Sequence, residues 1–129
     1  MKKESTFLLL AAAGLVPIAL SYGLAPEASM SYLYDIDAAS VNSSHIFRAV
    51  MGLYLGMVIF WILGARKPEL TLPALWSLAV FMLGLAAGRL LSVAIDGVPH
   101  PLLSLYILLE LGFGGVALYL ASRYRMQKA

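Results

Sequence analysis

GLAAGRLLSVAIDG, residues 84–97, is the stretch whose reading decides the fold. It closes a long apolar run and carries Arg89 seven residues before the Asp96-Gly97 turn signal. A cation at hydrocarbon depth costs several kcal/mol unless it is paired or reached by water. The run therefore predicts a transmembrane helix whose arginine has a partner elsewhere in the chain. Two other apolar runs bring an ionisable residue to a similar level, Arg48 in an earlier one and Glu110 in a later one. Three such residues in a small bundle are expected to meet, or to line a shared cavity.

The rest of the chain has the composition that such a helix needs. Of 129 residues, 61% are hydrophobic and 12% charged, against about 25% charged in soluble proteins. With a mean hydropathy of +0.86, the chain reads as one integral membrane domain spanning 1–129. The absence of cysteine excludes disulfides, thiolate metal sites and cysteine nucleophiles. A sequence pI near 9.0 reflects Lys and Arg at helix ends and does not point to nucleic acid.

Four runs, about 7–24, 46–65, 73–95 and 101–122, predict four transmembrane helices, an all-α bundle. Each is long enough to cross ~30 Å of hydrocarbon at ~1.5 Å per residue. Lys2 and Lys3 before the first run imitate a secretory signal, but the run is long for one, and it reads as an uncleaved first helix. Pro17 predicts a kink inside it. Ser43 or Ser44 is positioned to cap the second helix, while Pro73 and Pro101 suit the first turns of the third and fourth.

Segment 25–44 is the one long connection. It holds Glu27, Asp35 and Asp37 beside Tyr32 and Tyr34, with no Lys or Arg. That mixture suits a membrane interface, either as a plain amphipathic connector or as a short interfacial helix lying over the bundle. Seven basic residues, Lys2, Lys3, Arg66, Lys67, Arg123, Arg125 and Lys128, all fall on the opposite side. Positive-inside logic puts both termini in the cytoplasm and 25–44 in the periplasm.

Helical rise sets the depth of each charge. Arg48 lies about 6 Å, Arg89 about 10 Å and Glu110 about 15 Å below the acidic side. Either arginine could pair with Glu110. Ser92 and Asp96 lie one and two turns outward from Arg89, and Tyr106 one turn outward from Glu110. Together Arg48, Arg89, Ser92, Asp96, Tyr106 and Glu110 form the candidate ligand-binding or ion-pair network, a polar funnel opening on the acidic side. A purely structural salt bridge that sets helix order is the competing reading.

His45 and His100 near the loops make a weak metal pair, so no metal is expected. No glycine-rich nucleotide loop, Ser-His-Asp order or HExxH occurs, and no cofactor or catalytic residue is assigned. Gly52-x-x-x-Gly56, Gly84-x-x-x-Gly88 and the glycines at 112, 114 and 115 recur at helix spacing. They predict close packing between the helices of this bundle, with homo-oligomerisation as the alternative use.

HIFRAVMGLYLG (45–56), FMLGLAAGRLLSVAIDGVP (81–99) and Glu110-Leu111-Gly112 resemble a family of small bacterial four-helix membrane proteins, a domain of unknown function. The resemblance implies four helices and a bacterial inner membrane, and it implies no catalytic role. Residues 1–44 match it more loosely. The functional expectation is a non-enzymatic protein that binds a membrane lipid or other amphiphile, or serves as a small accessory subunit of a larger membrane complex. A small proton- or cation-coupled transporter using Glu110 is the alternative. An enzyme acting on lipid ranks third, because no nucleophile–base pair stands out.

Overall fold

Lys67 is the only residue between two long helices, α3 (Val41–Arg66) and α4 (Pro68–Asp96). Pro68, lacking an N–H, takes the start of α4 at no hydrogen-bond cost. The gap between the expected helices 46–65 and 73–95 is therefore helical apart from Lys67, and Pro73 lies inside α4 instead of in its first turn. The computed structural model describes residues 2–128, with side chains through Tyr124, so those of Arg125 and Lys128 lie outside the described residues. Before this hairpin come α1 (Lys3–Gly23) and α2 (Pro26–Tyr34); after it comes α5 (Pro101–Lys128).

All-α architecture is as expected, but the described residues form five helices, four of them long and apolar enough to cross a membrane. Pro17 sits within an uninterrupted α1. Helices α1, α4 and α5 each reach beyond their apolar runs, because polar first and last turns keep helical geometry at no packing cost. The connection 25–44 is reduced to α2 and a short non-helical stretch, 35–40, before α3 begins. Asp35 ends α2 in the left-handed region at φ 58°, a conformation that Asp tolerates better than bulkier residues. The α3 cap is Ser40 rather than Ser43 or Ser44: its side chain accepts the Ser43 N–H at 3.0 Å. This adds a turn on the acidic side of the apolar run, worth about 1 kcal/mol at such a cap.

Helix α1 packs along α3, α4 along α5, and the two pairs meet through α3 and α4. Small α1 residues, Ala11, Ala12 and Ala19, are fully covered there, as are Leu8 and Leu15. At the basic end the α3–α4 hairpin is tight. A Cβ on Gly64 would run into Ala74 Cβ and approach the Leu70 carbonyl oxygen at 3.1 Å. Thr71 Oγ1 donates to the Gly64 carbonyl at 2.7 Å, and Trp61 Nε1 donates to Ser77 Oγ at 3.1 Å.

The expectation that the paired glycines pack the bundle is corrected. Gly52, Gly56, Gly84, Gly88, Gly112 and Gly115 have open space where a Cβ would sit. The close approaches are at Gly23, Gly64 and Gly114, where Met51, Ala74 and Leu83 occupy that space. Leu10, Leu53, Ile59, Val80, Leu91 and Leu108 lie on the outer surface. A helix that is apolar all round offers no stripe to choose its inward face, so spacing alone misassigned these glycines.

Helices α1 and α5 have little close backbone contact and face each other across a seam. Phe7 stacks on Phe113 at 5.6 Å and closes the seam toward the basic end. Toward the acidic end α2 closes it, through Tyr34.

Candidate functional site

Arg89 and Glu110 project from adjacent helices, α4 and α5, and meet. Arg89 Nε donates to Glu110 Oε1 at 2.9 Å and to Oε2 at 3.1 Å. The side chains are 21% and 10% exposed. Among the described residues this is the one ion pair. Charges taken out of water in this way hold each other, and removing one partner from a buried pair costs about 3–5 kcal/mol.

Tyrosines surround the pair. Arg89 Nη2 donates to the Tyr22 hydroxyl at 3.3 Å, and the guanidinium lies 5.5 Å from the centre of the Tyr106 ring. Tyr22 stacks between Tyr34 and Phe47, at 5.7 and 6.2 Å, with Tyr54 edge-on at 5.6 Å. Such ring pairs contribute about 0.5–1.5 kcal/mol each beyond burial.

A hydroxyl relay then ties α5 to α1 through α2. Ser21 Oγ donates to the Ile18 carbonyl at 2.6 Å, so its single proton is committed. The 2.8 Å contact between Ser21 Oγ and Tyr34 must therefore be donated by Tyr34. The 2.8 Å contact between Tyr34 and Tyr106 must in turn be donated by Tyr106. Proton direction along the chain is fixed: Tyr106 to Tyr34 to Ser21 to the Ile18 carbonyl.

Of the sequence-derived set, Arg89, Glu110 and Tyr106 come together. Arg48 does not join them: it is exposed, and its Nη1 donates to the Gly23 carbonyl at 3.0 Å. It satisfies an orphan carbonyl at the negative end of α1 instead of meeting Glu110. Ser92 donates to Asp96 Oδ2 at 3.0 Å on an exposed turn of α4, one and two turns beyond Arg89 and without contact to Glu110. Tyr22, Tyr34, Tyr54 and Ser21 were missed. Their signal was present, since tyrosines are costly to bury without a hydroxyl partner, but Tyr34 read as an interface residue.

Two cavities flank the pair. One, about 210 Å³, lies in the α1–α5 seam below Glu110, among Gly14, Leu15, Ile18 and Phe113. It is walled by apolar groups, with the Glu110 carboxylate and the tyrosines Tyr54 and Tyr106 as its polar edge. The other is a more open groove of about 510 Å³ between α3 and α4, bordered by Leu53, Gly84, Gly88, Arg89 and Ser92. Tyr54 borders both. The site is therefore a covered ion pair between an apolar pocket and an open groove, not one funnel. Among the described residues no group of three His, Asp or Glu side chains could hold a metal ion.

Four helices are long and apolar enough to cross a membrane, which suggests a multi-pass membrane protein, and the ion pair joins two of them, α4 and α5. Residues 4–121 match the model of a domain of unknown function, DUF4345, and the chain belongs to that family. No curated protein and no solved structure matches the chain.

Proposed function

We propose that this is a non-enzymatic protein of a bacterial inner membrane, with both termini in the cytoplasm, that binds an anionic amphiphile in its outer half. The observation that carries the reading is the open side of Arg89. Of the five N–H groups on a guanidinium, Glu110 takes only Nε–H and Tyr22 takes one from Nη2. The Tyr54 hydroxyl also lies close to the guanidinium, but among the described residues the remaining N–H groups make no short hydrogen bond to the protein, and Arg89 borders the α3–α4 groove. A phosphate or carboxylate oxygen there would find charge-assisted donors, with the Ser92 hydroxyl beside them. The missing side chains of Gly84 and Gly88 leave a trough for an acyl chain, flanked by Leu53 and Leu85.

Native mass spectrometry of the protein with phosphatidylglycerol and with a neutral lipid of the same chains tests this. Retention of the anionic lipid should exceed that of the neutral one, and Gly88→Leu should reduce it by about tenfold, equivalent to ~1.4 kcal/mol. Equal retention of both lipids, or indifference to Gly88→Leu, defeats the reading.

A second reading rests on a separate observation. The glycine faces of α3 and α4 are uncovered, which suits contact with a helix of a larger complex or of a second copy. In that accessory role a partner would co-purify in fixed stoichiometry, and leucine at Gly52 or Gly56 would release it. The transporter reading is weaker, because Arg89 Nε lies against both Glu110 oxygens and a coupling carboxylate must exchange its cation.

A further inference from the structure

Glu4 is a second buried carboxylate, in the first turn of α1, at the opposite end of the bundle from Arg89. It is 4% exposed, and its Oε2 accepts no hydrogen bond from the described residues. It borders a cavity of about 250 Å³ shared with Lys2, Ser5, Arg66, Thr71 and Tyr124, which brings together α1, α3, α4 and α5. Lys2 and Arg66 are exposed on the rim, and among the described residues neither comes within ion-pair distance of Glu4. A buried carboxylate oxygen without a donor is costly, so a site built this way calls for a donor from outside the chain.

The donor set narrows what that donor is. Glu4 is the one carboxylate among the described lining residues, and no group of three His, Asp or Glu side chains among the described residues could hold a metal ion, so a divalent metal lacks its ligands. An organic ammonium needs only one carboxylate and nearby hydroxyl oxygens, which Glu4, Ser5 and Thr71 present. The rim asks for the opposite charge: Lys2 and Arg66 suit a phosphate. An acid within and two cations at the mouth match an ammonium joined to a phosphate by a short linker.

We infer that this cavity binds a phosphoethanolamine group, the headgroup of an aminophospholipid in the leaflet at the basic end. Its ammonium meets Glu4 and its phosphate meets Arg66 and Lys2. The terminal carboxyl torsion of Glu is broad, so turning it presents Oε2 to the cavity. The cavity holds a headgroup and not the acyl chains. Exposed Leu10 on α1 and Leu63 on α3, further along the same helices, offer those chains an apolar surface. A purely anionic headgroup could meet Lys2 and Arg66 but would leave the Glu4 oxygen without a donor. A choline headgroup carries charge but no N–H to donate.

The test uses the full chain in detergent with phosphatidylethanolamine, its mono- and dimethylated forms, phosphatidylcholine and phosphatidylglycerol, all with the same acyl chains. Native mass spectrometry should show retention falling stepwise with each N-methylation, by roughly tenfold overall as the charge-assisted N–H bonds are lost. Glu4→Gln should flatten that series, while Gly88→Leu in the α3–α4 groove should leave it intact. Soluble phosphoethanolamine should displace the lipid. Binding of that small molecule with no retention of the lipid would assign the same site to a soluble ligand of the same chemistry. A flat methylation series in the unsubstituted protein, retention of phosphatidylglycerol equal to that of phosphatidylethanolamine once Gly88→Leu has filled the α3–α4 groove, or an unchanged series in Glu4→Gln would overturn the inference.

Discussion

Glu110 and Glu4 are two buried carboxylates in one small bundle, 7% and 4% exposed, and their surroundings are opposite. Glu110 has Arg89 across both oxygens, with a tyrosine cage that ties four helices to the pair. Glu4 has an oxygen without a donor, and cations that stop at the rim. Backbone packing differs in the same way. Near Glu4 the α3–α4 hairpin closes to glycine distance, whereas near Arg89 the same two helices leave an open groove. Between α3 and α4 the backbones thus touch at the basic end and part at the acidic end, where α1 and α3 still approach closely at Gly23. Charge balanced within the chain organises helices; charge left unbalanced beside a cavity invites a ligand.

The sharpest way to break this comparison is Glu110→Gln. It strands Arg89 in the bundle and should destabilise the protein by about 3–5 kcal/mol, the cost of losing one partner of a buried pair. Unfolding in mixed detergent micelles measures it. Combining Arg89→Met with Glu110→Leu should be milder than either single change, and strictly additive losses would show that the two residues do not hold each other.

Gly64→Ala comes next. Its Cβ meets Ala74 and the Leu70 carbonyl, so overpacking should cost about 1–3 kcal/mol. Gly88→Ala, with open space around its Cβ, should be neutral or stabilising by about 0.5–1 kcal/mol from helix propensity. The same unfolding assay reads both, and equal penalties would erase the difference between the two halves.

Tyr34→Phe removes the middle of the relay while keeping its ring stack on Tyr22. A loss of about 0.5–1.5 kcal/mol is expected. Faster amide exchange in α2 should accompany it, since Tyr34 is what fastens that helix across the α1–α5 seam. Unchanged exchange there would remove α2 from the account.

Arg48→Gln should have the smallest effect, below about 1 kcal/mol, because an exposed side chain there caps one carbonyl of α1. A loss as large as that of Glu110→Gln would return Arg48 to the buried network, contrary to the observed geometry.

By itself the sequence determined that the chain is helical and apolar, how many helices are long enough to cross a bilayer, and how far along each helix every charge lies. These follow from run length and a constant rise per residue, which need no knowledge of neighbours. Depth was enough to bring Arg89 and Glu110 to similar levels, but it could not choose between Arg89 and Arg48. That choice depends on which helices are adjacent and how each is rotated, and α4 lies against α5 while Arg48 stands over the end of α1. Helices apolar on every face carry no stripe that records their rotation. For that reason the tertiary structure alone decided which glycines touch a neighbour. It also decided that Tyr34 reaches Tyr106 across the seam, and that Glu4, which nothing in the sequence singled out, is buried with one oxygen that has no partner among the described residues.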